Sequence, residues 1–136
     1  MYEIFEHTAD LGIRVCAGSA DELFADAARG LFAVMVGNVA AVRMVEDVTF
    51  QLDGDNVEEL LHDWLSELLY TFYTRRLVLA EFRVKLSPTG LSATARGEPL
   101  DPRRHEIGGE VKAITWHGLK VEQHADQWQA EVIVDV

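Results

Sequence analysis

At 136 residues the chain has the length of one ordinary domain, enough to bury roughly two-thirds of the surface its unfolded form exposes. Its composition, 49% hydrophobic and 26% charged with no Gly/Ser/Pro-rich tract, argues against disordered and fibrous classes. The formal net charge of −11, from 23 acidic and 12 basic residues, repels phosphate backbones, so direct RNA binding is not expected and a basic partner or metal cations are favoured.

The N-terminal stretch Met1–Glu6 lacks the basic and apolar regions of a secretory signal, and the single cysteine, Cys16, has no internal disulfide partner. A reducing cytoplasm is the expected location. Charges interrupt every apolar stretch well short of the ~18–20 residues that span a bilayer.

The chain opens with one or two strands, in which Leu11, Ile13 and Val15 alternate around Gly12 and Arg14, with a turn at Ala9-Asp10-Leu11-Gly12. Ser19 and Glu22 then form a capping box. Behind it Leu23, Phe24, Ala27, Ala28, Leu31, Phe32 and Met35 recur at helical spacing, predicting a helix over Ala20–Val36 with Gly37 as its C-terminal cap. Gly30, inside that helix, predicts close packing.

Val48, Phe50 and Leu52 alternate as a strand. Asn56 with Glu59 opens a second helix, whose stripe of Val57, Leu60, Leu61, Trp64, Leu65, Leu68, Leu69 and Phe72 is expected to pack on a sheet. Arg75 and Arg76 complement the negative end of its dipole. The period then returns to two in Phe82, Val84 and Leu86, in Leu91, Ala93 and Ala95, and in Trp128, Ala130, Val132 and Val134. Pro88-Thr89-Gly90 and His124-Ala125-Asp126 read as hairpin turns. The order of elements predicts one α+β domain over residues 1–136, with both helices against a largely antiparallel sheet.

No phosphate-binding glycine loop, GxSxG elbow or paired-cysteine motif is present, which argues against the common enzyme classes. What remains lies at the two ends of the chain. If the first and last strands abut, Asp10, Asp135 and the α-carboxylate of Val136 bring together hard oxygen donors suited to calcium, magnesium or manganese. Three carboxylates without a cation repel one another, so such a cluster makes more physical sense occupied. The other readings of these residues are an ordinary turn aspartate and termini that never meet.

Among the histidines, His7, between Glu6 and Asp10, and His117, between Trp116 and Gly118, are the better site candidates. His62 is expected to face solvent, and His105 and His124 to lie in loops or turns. Lys112 is the lone basic residue of its segment, free to contact a partner carboxylate or to be solvated. A metal-dependent hydrolase using Asp10 and His7 is a competing reading, weakened because the dense cluster is acidic and terminal. A general chaperone or RNA-modification accessory is another.

Several of these segments carry a resemblance to one family. His7-Thr8-Ala9-Asp10-Leu11-Gly12-Ile13 resembles the HTAD-x-G-I signature of archeases. The helical run Leu61-His62-Asp63-Trp64-Leu65-Ser66-Glu67-Leu68-Leu69-Tyr70 is similar to their long-helix motif, and Val111-Lys112-Ala113-Ile114-Thr115-Trp116-His117 to their K-A-x-T-[YW]-H segment. The ending Asp135-Val136 also matches.

The resemblance implies a strand-helix-strand fold of the SHS2 type. It also implies the role of a protein cofactor, not itself an enzyme, that promotes guanylylation and turnover of the GTP-dependent, RtcB-type tRNA-splicing RNA ligase. It implies a metal site at Asp10, Asp135 and Val136, with calcium ahead of magnesium or manganese. Lys112 is implicated in ligase activation, with His7 and His117 as further candidates.

Overall fold

The structure, a computed structural model, describes residues 1–7 and 10–136. Thr8 and Ala9, and with them part of the expected N-terminal turn, lie outside the described residues. Strands β1 (Tyr2–His7) and β2 (Asp10–Ala17) precede helix α1 (Ala20–Met35), strand β3 (Glu46–Asp53) and helix α2 (Val57–Arg75). The chain then runs through β4 (Leu77–Ser87), β5 (Gly90–Pro99), the two-residue β6 (Ala113–Ile114), β7 (Lys120–His124) and β8 (Gln127–Asp135). This is the predicted α+β order.

The strands divide into two antiparallel sheets where one was expected. In the first the order is β1-β2-β8, with β6 and β7 both pairing β8; in the second it is β3-β5-β4. Both helices contact both sheets: α1 meets β1, β2 and β8 as well as β4, and α2 meets β6 and β7 as well as β3, β4 and β5. A helix between two apolar surfaces needs more than one apolar stripe, and α1 buries ten of its sixteen residues, from Leu23 to Met35.

Both predicted N-caps form. The Ser19 hydroxyl accepts from the Glu22 amide at 3.1 Å, and Asn56 Oδ1 accepts from the amides of Glu58 and Glu59 at 3.0 and 2.9 Å, satisfying amides that the helices leave free. The C-terminus of α1 differs from expectation, whereas α2 carries Arg75 in its last turn as expected. Helix α1 ends on Val36 in extended conformation, and the Gly37 amide leaves the helix to donate to the Glu106 carbonyl at 2.7 Å. Helix α2 ends on Arg76 at φ 53°, so an arginine adopts the left-handed turn commonly given to glycine.

The core is a single cluster joined by aromatic contacts, with Phe32 5.8 Å from Phe82, Trp64 6.4 Å from Phe82, and Phe50 5.3 Å from Trp64. Trp64 is fully buried and donates its indole N–H to the Phe24 carbonyl at 3.0 Å, tying α2 to α1. Gly30 fits the expectation of close packing: a Cβ there would stand 2.7 Å from Ile13 Cγ2 and 3.3 Å from Tyr2. The edge strand β4 is partly covered by α1, whose Asp21 carboxylate accepts from the Leu86 amide at 2.9 Å.

Candidate functional site

The register between β2 and β8 determines what the two ends of the chain do. Leu11 pairs Val134, Ile13 pairs Val132 and Val15 pairs Ala130, so these residues share the buried face. The ladder runs to Leu11 and Val134, one step short of Asp10 and Asp135. Continuing the same register sets these two aspartates opposite each other on the other face, a separation at which cross-strand Cβ atoms are typically about 5 Å apart. Both are half-buried.

Neighbouring strands add the remaining predicted residues. His7 pairs Asp10 across the β1–β2 ladder. On the opposite side of β8, Ala113 pairs Asp135, and the Lys112 amide donates to the Asp135 carbonyl at 2.7 Å. Val136 follows directly, 36% exposed. The loop after β6 turns through Gly118 at φ 62°, with the His117 amide held by Thr115 Oγ1 at 3.2 Å. This brings the His117 ring 5.3 Å from that of His7, a contact that bridges across β2 and β8. The Nδ1 of His7 is buried and has no hydrogen-bond partner among the described residues.

Asp10, Asp135, Val136, Lys112, His7 and His117 thus gather at one end of the five-stranded sheet. Among the described residues, no three His, Cys, Asp or Glu side chains converge on a common metal position. The expected donor set, two aspartates and an α-carboxylate, is of another kind and is compatible with the strand register. Its oxygens are hard donors suited to the same group of cations.

Two features were not legible in the sequence. His62, expected to face solvent, is largely covered, its ring stacked on Trp116 with centroids 3.7 Å apart and planes 10° apart. Its Nε2 lies 3.0 Å from the Ile114 carbonyl, which can only accept, so that nitrogen carries the proton. The contact spans 52 residues, so helical spacing alone carries no sign of it.

The second is a buried ionic cluster. Glu98 accepts from Arg104 Nη1 at 2.6 Å and Nη2 at 3.1 Å, from the Arg43 amide at 2.7 Å, and from His105 Nε2 at 3.1 Å. His105 does lie in a loop, as expected, but is only 3% exposed. Its Nδ1 accepts from the Asp101 amide at 2.9 Å, which leaves the proton on Nε2, facing Glu98. The Arg104 hydrogen bonds, aided by the Arg43 amide and His105, hold the Glu98 carboxyl at about 2 against the cost of burial. His124, expected in a turn, is the last residue of β7, and the turn proper is Ala125 and Asp126.

The Archease protein family (MTH1598/TM1083) matches residues 2–136. The chain belongs to the archease family. Protein archease of Methanopyrus kandleri is 39% identical over 139 residues, covering 99% of each chain. That of Pyrococcus abyssi is 41% identical over 140 residues, covering 99% of this chain and 98% of the relative.

Among archease-like solved structures, Methanobacterium thermoautotrophicum protein 1598 superposes with a TM-score of 0.89 at 32% identity, over 99% of this chain and 98% of that one. A Thermotoga maritima archease, described as a possible chaperone, gives 0.68 at 25% identity, over 100% and 98%. The archease resemblance carried by the HTAD, long-helix and K-A-x-T-[YW]-H segments is therefore borne out along the whole chain. Among the described residues, no helix is long and apolar enough to cross a membrane.

Proposed function

We propose that this archease is a metal-binding accessory protein of the cytoplasm that activates an RtcB-type, GTP-dependent tRNA-splicing RNA ligase by promoting its guanylylation and repeated turnover. It is not itself a catalyst and does not bind RNA directly. Family membership supports the role, and the β2–β8 register that brings Asp10 and Asp135 to one sheet end is the observation that carries the site.

Asp10, Asp135 and the α-carboxylate of Val136 would hold the cation, calcium ahead of magnesium or manganese, with His7 and His117 beside them. A bound divalent ion supplies positive charge that neutralises the clustered carboxylates and can polarise phosphoryl oxygens. Lys112, exposed and tethered through its backbone to Asp135, would contact an acidic residue of the ligase. The Thermotoga maritima archease is described as a possible chaperone, and chaperones act on other proteins.

The test is a ligation assay with purified ligase, GTP and manganese, with and without this chain. Acceleration and repeated turnover are expected only when it is present. An unchanged ligation rate across a range of chain concentrations would overturn the assignment.

A further inference from the structure

Most aromatic side chains of this protein are buried or half-buried. Of its six Phe, three Trp and three Tyr, only Tyr70, Tyr73 and Trp116 are exposed, at 64%, 41% and 56%. All three border one face of α2. His62, Ser66, Tyr70 and Tyr73 follow one another at spacings of four, four and three, the repeat of a single helical stripe.

The segment Val111–Trp116 runs along the edge of that stripe. The Tyr73 hydroxyl donates to the Val111 carbonyl at 2.8 Å, and His62 Nε2 to the Ile114 carbonyl at 3.0 Å. The stack on His62 covers one face of the Trp116 indole, and the exposure of the residue leaves the other free. Past Tyr73 the stripe opens into a cleft of about 220 Å³ lined by Met35, Phe72, Arg76, Ile107 and Glu110.

Acidic groups accompany the aromatics. Glu59, Asp63 and Glu67 form a row at spacings of four beside the stripe, with Glu59 and Asp63 exposed. The Asp63 carboxylate lies 3.4 Å from His62 Nδ1, next to the stacked pair. Open aromatic faces beside uncompensated carboxylates attract guanidinium and ammonium groups, through the ring quadrupole and through charge-assisted hydrogen bonds. They disfavour a nucleotide, whose base can stack but whose phosphates meet the acidic row and a chain of net charge −11.

We infer that this face of α2, from Trp116 and Asp63 to Tyr73, is a docking surface for an arginine- or lysine-rich segment of a partner protein, with a cationic side chain seated on the free face of Trp116. It rests on the proposed function only in taking the RNA ligase to be that partner.

Intrinsic fluorescence and calorimetry test it with two probes, the purified ligase and a short polyarginine peptide, against wild type, Trp116→Ala, Tyr70→Ala and Asp63→Asn. Circular dichroism verifies folding; Tyr70 and Asp63 are exposed, so two of the variants are simple surface changes. Each variant is expected to bind both probes about tenfold more weakly than wild type, while titration with manganese alone is unchanged for Tyr70→Ala.

Wild-type binding to the ligase with no loss in any variant overturns the docking surface and leaves the proposed function standing. Binding to the peptide but not to the ligase, with the variant losses intact, upholds the surface and counts against the ligase as partner. Quenching of Trp116 fluorescence by a single-stranded RNA oligonucleotide, with none by the peptide, overturns the inference in favour of base stacking.

Discussion

The backbone amide of Lys112 donates to the carbonyl of Asp135 at 2.7 Å, so the two residues are held together by the sheet itself. The side chain of Lys112 is exposed while that of Asp135 is half-buried. A change at Lys112 can therefore alter what a partner meets without removing the amide that braces the end of β8. Lys112→Ala is expected to leave metal affinity within about twofold of wild type and to lower ligase activation. Parallel metal calorimetry and ligation assays check this, and a loss of metal binding equal to that of an Asp135 variant would contradict it.

Asp10→Ala and Asp135→Ala should each weaken divalent-cation binding by about tenfold or more and leave the fold intact, because neither residue belongs to the buried core. Calorimetric titration with calcium and manganese, alongside circular dichroism, measures both. Wild-type affinity in either variant would remove that aspartate from the site.

A C-terminal extension tests the third proposed ligand. A peptide bond after Val136 converts a charged carboxylate into a neutral amide, so even a short tag there should reduce both cation binding and ligase activation. An N-terminal tag should be milder. Equal behaviour of the two tagged forms would show that the terminus takes no part.

The helices and most strands could be read from the sequence because the signals are local: two capping boxes, one leucine and tryptophan stripe, and alternation around Phe50, Phe82, Ala93 and Val132. The division into two sheets could not, since it depends on β3 pairing β5 while β8 pairs β2 across nearly the whole chain. Asp10 and Asp135 stood out by chemistry and by position in the chain. His62 did not, because its cover comes from Trp116 in a distant segment, and a glutamate near a strand end such as Glu98 ordinarily reads as solvated.

Glu98 makes stability pH-dependent with a definite sign. Its folded carboxyl lies at about 2, below the ordinary 4.5, chiefly through the Arg104 hydrogen bonds. The contribution is fully present above about pH 4.5 and is lost as the pH falls toward 2. Glu98→Gln should cost about 2–3 kcal/mol at neutral pH by leaving Arg104 without its buried counter-charge, and the gap from wild type should narrow on acidification. Urea unfolding at a series of pH values checks it; a gap independent of pH would contradict the assignment.

Gly97 tests the packing of the three-stranded sheet. A Cβ there would stand 1.8 Å from the Val78 carbonyl oxygen, beside the register shift between Leu79 and Glu81. The obstacle is backbone, which cannot rotate aside, so Gly97→Ala should destabilise by about 1–3 kcal/mol. Gly109→Ala, where a Cβ would meet nothing within 4 Å, is the matched control. Equal denaturation midpoints for the two variants would show that β4 shifts freely.

The mechanistic prediction concerns the guanylylation step and follows from charge. A chain of net charge −11 approaching the proposed partner, a basic RNA ligase, would be steered by opposite fields, and that steering would fade as salt shortens the Debye length from about 10 Å at 0.1 M. With no phosphate-binding loop in its sequence, the chain itself should neither retain GTP nor take up label from it. Transfer of radiolabel from GTP to the ligase, measured at limiting manganese, should therefore speed up when this chain is added, and the acceleration should shrink steadily along a salt series. Tyr70→Ala and Asp63→Asn should reproduce at low salt the weakened acceleration expected of wild type at high salt, since both would act on the proposed docking surface rather than on the aspartates proposed to bind metal. Label on this chain, or an acceleration indifferent to salt, would refute the electrostatic docking step.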